Sequence, residues 1–177
     1  MPESLLPTYV DTRKVFLQQE EISGSVALEK LPRFADSLAD NRGLINVELR
    51  FSTNESNLKV IKGHLSARVE VICQRCLEPL GIELEEEISL ILLEEDSAAT
   101  KLDPHFDPWI SGEYKLVLAE LVEEQLLLCM PIVNFHESKN CLNNLDYQNN
   151  GIEQTGEQEQ VATESPFTVL KQLKKSY

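Results

Sequence analysis

Long hydrophobic runs are missing from this chain of 177 residues, although 42% of its residues are hydrophobic. No window approaches the roughly 20 consecutive apolar residues that a membrane-spanning helix needs, so we expect no contact with a membrane. Aromatic residues are also few, at 6%. This composition is ordinary for a soluble globular protein, and the length is sufficient for one domain with a genuine core.

The N-terminus lacks the features of a secretion signal. The segment Met1-Pro2-Glu3-Ser4 is acidic, and no basic stretch followed by an apolar stretch of signal-peptide length is found there. Four cysteines without such a signal indicate reduced thiols. The expected location of the protein is therefore the cytoplasm.

Positive charge is scarce, and its distribution along the chain is uneven. The formal net charge is −14, but residues 1–75 contain 10 Lys or Arg and 10 Asp or Glu and are therefore neutral. Residues 76–177 hold 6 basic and 20 acidic residues and carry the whole imbalance. A surface this negative repels phosphate, which excludes a small, strongly basic RNA-binding module. What remains is a folded protein with one locally basic face, or a protein that binds a basic protein.

Recognisable catalytic motifs are missing as well. The chain has no Gly-rich phosphate loop, no Gly-x-Ser-x-Gly nucleophile elbow and no His-Glu-x-x-His motif. Of its three histidines, only His136 lies near a cysteine motif. We therefore expect that the protein is not an enzyme and has no small-molecule substrate.

Two short motifs provide the strongest chemical signal. Cys73 and Cys76 form a Cys-x2-Cys pair, and His136 and Cys141 form a His-x4-Cys pair farther along the chain. Together they supply the four sulfur and nitrogen donors that a tetrahedral structural zinc site requires. Two other interpretations stay open, in which the cysteines are small buried hydrophobic residues or a redox pair. The redox pair is disfavoured because Pro79 and a strand-like segment follow, where a thioredoxin-like motif opens a helix.

Nearby residues have plainer interpretations. His64, in a Gly-His turn, and His105, in a Pro-rich loop, are expected to be solvated, and Cys129 is expected to be buried on an apolar helix. Arg75 has the fork shape that grips a phosphate or a carboxylate through two hydrogen bonds. Pairing of Arg75 with Glu78 is favoured slightly over a contact with phosphate.

Hydrophobic periodicity predicts an α+β fold dominated by an antiparallel sheet. Alternating apolar residues predict strands over residues 22–28, 45–51, 58–63, 65–71 and 82–93. Apolar residues at helical spacing predict helices over residues 10–18, 31–38 and 116–130. Consecutive strands with short connections favour a meander with one polar face, whether open or barrel-like. Residues 94–113, rich in acidic residues and Asp-Pro pairs, are predicted to be a loop.

The last of these helices carries its charge on one side. Its only charged residues, Glu120, Glu123 and Glu124, share a face that is expected to be a solvated surface.

The C-terminal part of the chain has a different composition from the rest. Residues 1–141 are expected to form a single domain. Residues 142–164 are rich in Asn, Gln and Glu, contain no basic residue, and are predicted to be a disordered acidic linker. Residues 165–177 predict a short basic amphipathic helix, and its apolar residues are candidates for binding a partner: Phe167, Leu170 and Leu173.

These motifs, in this order, resemble the YceD family of large ribosomal RNA subunit accumulation proteins. The resemblance spans nearly the whole chain and rests on Cys73-Gln-Arg-Cys76-Leu-Glu-Pro-Leu80, Leu121-Val-Glu-Glu-Gln-Leu-Leu-Leu128 with Pro131, His136-x4-Cys141, and Pro166-Phe-Thr-Val-Leu-Lys-Gln-Leu-Lys174. The chain departs from the family's usual pattern at Lys115, Gln125 and Asn134, none of which is a candidate ligand. Family members are associated with the synthesis, processing or stability of 23S rRNA and are not known as enzymes.

The resemblance implies a ribosome biogenesis factor that acts on the large subunit by non-catalytic binding. Its expected partner is large-subunit rRNA or a pre-ribosomal particle, and ribosomal proteins are further candidates. The basic residues expected to contact RNA lie in the neutral N-terminal part: Arg13, Lys14, Arg33, Arg42, Arg50, Arg68 and Arg75. An alternative is an acidic interaction protein that binds or shields a basic ribosomal protein. One structural zinc ion is the only cofactor that the sequence suggests.

Overall fold

The structure is a computed structural model that describes residues 4–95, 102–138 and 141–142. The elements in these ranges are, in chain order, β1 (Tyr9–Asp11), α1 (Thr12–Gln18), β2 (Glu21–Ala27), a 3-10 turn (Leu28–Lys30), α2 (Pro32–Ala35), β3 (Leu44–Thr53), β4 (Lys59–Ile72), β5 (Pro79–Leu93), β6 (Asp107–Ile110), β7 (Lys115–Val117) and α3 (Leu118–Cys129). The predictions for the linker after Leu142 and for Phe167, Leu170 and Leu173 lie outside the described residues.

The main sheet has five strands in the order β2-β3-β4-β5-β6. The first four are antiparallel neighbours that follow one another along the chain, which confirms the predicted α+β fold with an antiparallel meander. β6 joins β5 in parallel, and β1 pairs with β7 in a separate two-stranded ribbon. In the part of the chain that the structure describes, the main sheet ends at β2 and β6 and does not close into a barrel.

The core forms where regular alternation places apolar side chains on one face of the sheet. Along β3, Ile45, Val47, Leu49 and Phe51 are all buried, and the residues between them face away. Phe16 of α1 packs edge-on against the ring of Phe51, with ring centroids 5.4 Å apart. No helix in the described ranges is long and apolar enough to cross a membrane.

A single strand, β4, replaces the two strands that were predicted on either side of Gly63. Gly63 lies opposite Leu49 of β3, within the paired part of the strand. A Cβ at this position would lie 2.2 Å from the carbonyl oxygen of Glu48, so the close approach of β3 requires a glycine. His64 therefore lies within the strand, 3.3 Å from the carboxylate of Glu87, and the prediction of a turn was wrong.

The loop predicted over residues 94–113 contains β6. Pro108 lies within this strand, in register with Ile91 of β5. Because β6 is the last strand of the sheet, the missing N–H of proline interrupts no interior ladder of hydrogen bonds. The Asp-Pro pattern predicted an irregular loop, but the structure has an edge strand at this position.

All three helices differ in length from their predictions. The helix predicted over residues 10–18 begins at Thr12, because Tyr9–Asp11 pair with β7 as strand β1. The helix predicted from residue 116 begins at Leu118, because Lys115–Val117 pair with β1 as strand β7. The helix predicted over residues 31–38 has only four α-helical residues, Pro32–Ala35, after the 3-10 turn.

Glu123 departs from the solvated helix face that the sequence predicted. Its side chain is buried, and its Oε1 accepts hydrogen bonds from the backbone N–H groups of Arg33 (2.8 Å) and Phe34 (3.2 Å). These groups belong to the first turn of α2, where the residue before the helix supplies no side-chain cap. Glu124 is half-buried and pairs with the guanidinium of Arg33, so only Glu120 has the predicted exposure. Glu123 thus caps α2 from α3 and joins the two helices.

This cap leads to a prediction about stability. Glu123→Ala should lower the free energy of unfolding by about 1–3 kcal/mol, because two N–H groups at the start of α2 lose their acceptor. Chemical denaturation followed by circular dichroism measures the change. The matched control is Glu120→Ala on the same helix, which removes an exposed carboxylate and should change stability by less than about 0.5 kcal/mol. Equal losses in the two variants would contradict the role of Glu123 as a cap.

Candidate metal centre

The connection between β4 and β5 is a tight turn that carries two cysteines. Cys73 follows the last residue of β4, and the N–H of Leu77 donates to the Cys73 carbonyl at 2.8 Å. The N–H of Cys73 donates in turn to the carbonyl of Glu78 at 2.9 Å, and Leu77 adopts a left-handed conformation with φ of 61°. Cys73 and Cys76 are both buried, with relative exposures of 0% and 1%.

The segment after α3 docks on this turn through Gln74. The backbone N–H of Gln74 donates to the carbonyl of Asn134 at 2.9 Å, and its side-chain amide donates to the carbonyl of Ile132 at 3.2 Å. Asn134 is itself buried and donates through Nδ2 to the carbonyl of Pro131 at 3.2 Å. These bonds bring His136 to the cysteine turn.

The structure places all four candidate ligands together. One ligand atom from each of Cys73, Cys76, His136 and Cys141 lies within 4.8 Å of the others, and Cys76 Sγ is 3.3 Å from His136 Nδ1. Tetrahedral zinc with bonds of about 2.0–2.3 Å holds its ligand atoms about 3.3–3.8 Å apart, so a small contraction of the cluster would fit the ion. His136 Nε2 lies 3.2 Å from the carbonyl oxygen of Pro79, which favours a proton on Nε2 and leaves Nδ1 as the donor atom.

The two thiols of the turn differ in acidity. Burial raises the pKa of Cys73, but hydrogen bonds from the backbone N–H groups of Cys76, His136 and Arg75 outweigh it and lower the pKa to about 5. Burial raises the pKa of Cys76, and the neighbouring Cys73 and Cys141 add to the rise. Cys73 is therefore the thiol of this turn that loses its proton more readily, whereas a nearby cation would favour ionisation of Cys76.

Arg75 fixes the second half of the site. Its Nη2 donates to the carbonyls of His136 (2.6 Å) and Ser138 (2.8 Å), and its Nε donates to Cys141 Sγ at 3.0 Å. The guanidinium carbon also lies 5.4 Å from the centre of the Phe135 ring. The expected pairing with Glu78 is replaced by these contacts, and the guanidinium is directed into the site. The position of Arg75 between the two cysteines was the available sequence signal for this role.

Cys129 lies apart from this cluster on α3. Its side chain is about half-buried, burial raises its pKa, and its thiol lies 3.4 Å from the carbonyl of Leu126. Plain packing accounts for this cysteine. Packing alone does not account for an imidazole placed among three sulfur atoms.

The other candidate RNA-contacting residues are distributed over several elements. Five arginines have a carboxylate neighbour, in the pairs Arg13–Asp11, Arg33–Glu124, Arg42–Asp40, Arg50–Glu21 and Arg68–Glu83. Lys14 is exposed on α1. The arginine side chains are themselves largely exposed, and exposed pairs of this kind contribute little energy, so a phosphate can compete with the carboxylate.

A family model and a named relative each match most of the chain. The family described as "Large ribosomal RNA subunit accumulation protein YceD" matches residues 61–174, a range that includes all four residues of the candidate metal centre. A Haemophilus influenzae protein named "Large ribosomal RNA subunit accumulation protein YceD" is 30% identical over 175 residues, which is 98% of this chain and 99% of the relative. No solved structure matches significantly. By the extent of both matches, the chain belongs to the YceD family.

Proposed function

We propose that this protein is a ribosome biogenesis factor that supports the accumulation of 23S rRNA in the large ribosomal subunit by non-catalytic binding. The observation that carries the proposal is the end-to-end similarity to a relative that is named a large ribosomal RNA subunit accumulation protein. The cysteine cluster is consistent with a binding protein, because all four ligand positions come from the chain and none is left for a substrate. Large-subunit rRNA, alone or within a pre-ribosomal particle in the cytoplasm, is the proposed partner.

We further propose that the cluster holds one structural zinc ion. Three sulfurs and one imidazole nitrogen are the donor set of known structural zinc sites, and the backbone hydrogen bonds to Cys73 favour its thiolate form. Bound zinc would supply the charge that ionises Cys76. It would also join the β4–β5 turn to the segment after α3, where Arg75 and Gln74 already provide contacts.

A second candidate function is the binding of a basic ribosomal protein. The outward face of the main sheet favours it, because Glu48 on β3 and Glu85 and Glu87 on β5 are exposed there, on the two strands that flank β4. Such a face attracts a basic partner and repels phosphate. RNA binding and ribosomal-protein binding can be separated by experiment, because their partners can be purified independently.

The zinc proposal predicts the metal content of the purified protein. Freshly prepared, unchelated protein should contain about one zinc ion per chain by mass spectrometry of metals. Cys76→Ser should lose the ion and lower the free energy of unfolding by more than about 3 kcal/mol, because the free energy of metal binding is also folding free energy. Cys129→Ser is the matched control and should retain the ion. Protein that is folded and free of zinc as isolated would refute the proposal.

The RNA proposal predicts selectivity and salt dependence. The full-length protein should bind fragments of large-subunit rRNA more tightly than fragments of small-subunit rRNA of equal length. Its affinity should fall by about tenfold or more between ~50 and ~200 mM salt, because each phosphate contact releases counterions. Filter binding at several salt concentrations measures both effects. If no rRNA fragment binds at low salt while purified large-subunit ribosomal proteins do, the second candidate function replaces the first.

A further inference from the structure

Two exposed tyrosines and two cations form a compact cluster beside the β1–β7 ribbon. Lys115 Nζ lies 4.4 Å from the centre of the Tyr9 ring, and the guanidinium carbon of Arg13 lies 4.5 Å from the centre of the Tyr114 ring. Tyr9 and Tyr114 are 55% and 58% exposed, so each ring has surface left for a further partner. They are also the only tyrosines within the ranges that the structure describes.

We call these four side chains the tyrosine cluster: Tyr9, Arg13, Tyr114 and Lys115. Hydrogen bonds hold the backbone beneath the cluster in place. Tyr9 and Lys115 lie on paired strands of the ribbon. The backbone N–H and the hydroxyl of Thr12 both donate to the carbonyl of Tyr114, at 2.8 and 3.2 Å, and Thr12 is buried. The side chains therefore project from a frame whose hydrogen bonds are already satisfied.

Asp11 contributes to the same frame. Its carboxylate accepts from the backbone N–H of Arg13 at 3.0 Å as the N-terminal cap of α1, and it pairs with the Arg13 guanidinium through both oxygens. This double contact orients the guanidinium that lies over Tyr114. The four residues of the cluster and Asp11 line a pocket of about 180 Å³.

The local charge is opposite in sign to that of the whole protein. Arg13, Lys14 and Lys115 lie at or next to the cluster, and Lys59 lines a second pocket beside Tyr114, whereas the carboxylates nearby are Asp11, Glu94 and Glu113. In a chain of net charge −14, a site where cations outnumber carboxylates is where a polyanion meets the least repulsion. Exposed aromatic rings combined with cations are also the surface that unpaired nucleotides recognise, because bases stack on the rings while phosphates contact the cations.

We propose that the tyrosine cluster is the contact site for single-stranded RNA. One or two unpaired bases stack on Tyr9 and Tyr114, and the adjoining phosphates bind Arg13, Lys14 and Lys115. The inference rests on the proposed function and assigns the rRNA contact to one part of the protein. Paired bases in an RNA helix present no free ring face, so the site requires a loop, a bulge or an unpaired end.

The test uses the full-length protein and a fluorescein-labelled single-stranded RNA of ~12 nucleotides, with the same strand annealed to its complement as the paired form. Tyr114→Ala and Tyr9→Ala should each weaken binding of the single strand about tenfold, which corresponds to the loss of one stacked base. Tyr114→Phe and Tyr9→Phe keep the ring and should stay within about twofold of the wild type. Fluorescence anisotropy measures the dissociation constants.

Salt titrations test the phosphate contacts. Lys115→Gln should reduce the slope of log affinity against log salt by about 0.7–0.9, the value of one phosphate contact. Lys30→Gln removes an equal charge from an exposed position in the 3-10 turn and should leave the slope unchanged. Thermal unfolding of each variant verifies that the fold is intact, and the Phe variants remain informative if an Ala variant fails to fold.

The outcomes separate this inference from the proposed function. If both Ala variants bind RNA with wild-type affinity, the inference is overturned. The proposed function would then remain, with the rRNA contact at another part of the protein. Equal affinity for the single strand and the duplex would overturn base stacking at the tyrosines. A wild-type protein that binds no RNA would overturn both, and wild-type protein that binds only ribosomal proteins would favour the second candidate function.

Discussion

The pairing of β4 with β5 is the interaction on which the candidate metal centre depends. These strands pair continuously from Lys59 opposite Leu92 to Ile72 opposite Pro79, which leaves only the cysteine turn between them. A turn at the end of so long a pair of strands has little conformational freedom, because a movement of the turn would disturb the neighbouring hydrogen bonds between β4 and β5. The directions of Cys73 and Cys76 are therefore set by the sheet, and the later segment has to reach them. Gln74 and Arg75 provide the contacts that hold it there.

Buried or half-buried polar groups that bind distant partners recur in this fold. Glu123 caps α2 from α3, Arg75 satisfies carbonyls some sixty residues away, and Thr12 holds the carbonyl of Tyr114. Each group would cost free energy if it were buried alone, so each fixes one particular arrangement of two segments. Hydrophobic burial along the strands supplies much of the stability, whereas these contacts determine how the helices and the C-terminal half of the domain are placed against the sheet.

This division explains what the sequence could predict. The meander was predictable because apolar and polar residues alternate from Ile45 to Phe51 and from Val69 to Val71. A strand that is buried on one face requires this period of two in its sequence. The incorrect predictions concern residues whose role depends on a distant neighbour. Gly63 was taken for a turn because the approach of Glu48 is invisible in sequence, and Glu123 was taken for a surface residue because its acceptor role depends on α2.

The same argument applies to the functional residues. Ligand spacing suggested the four residues of the candidate metal centre, since few residue types can bind zinc in any fold. A basic face could not be derived in this way, because the chain pairs most of its arginines with its own carboxylates. Tyr9, Tyr114 and Lys115 were missed because β1 and β7 are only three residues long and lie more than a hundred residues apart. Such a pairing has no local signal, and only the folded chain brings the two rings together.

For an acidic protein, the surroundings of an RNA site are as important as the site. Carboxylates such as Glu48, Glu85 and Glu87 outnumber the cations Arg50, Lys62 and Arg68 on the outward face of the sheet, so this face would disfavour most orientations of a bound RNA. A small cationic and aromatic cluster then gains selectivity from repulsion elsewhere, because specificity is a difference between the free energies of right and wrong contacts. Net negative charge and RNA binding are compatible on this basis. The condition is that the cations be concentrated where rings are exposed, as they are at Tyr9 and Tyr114.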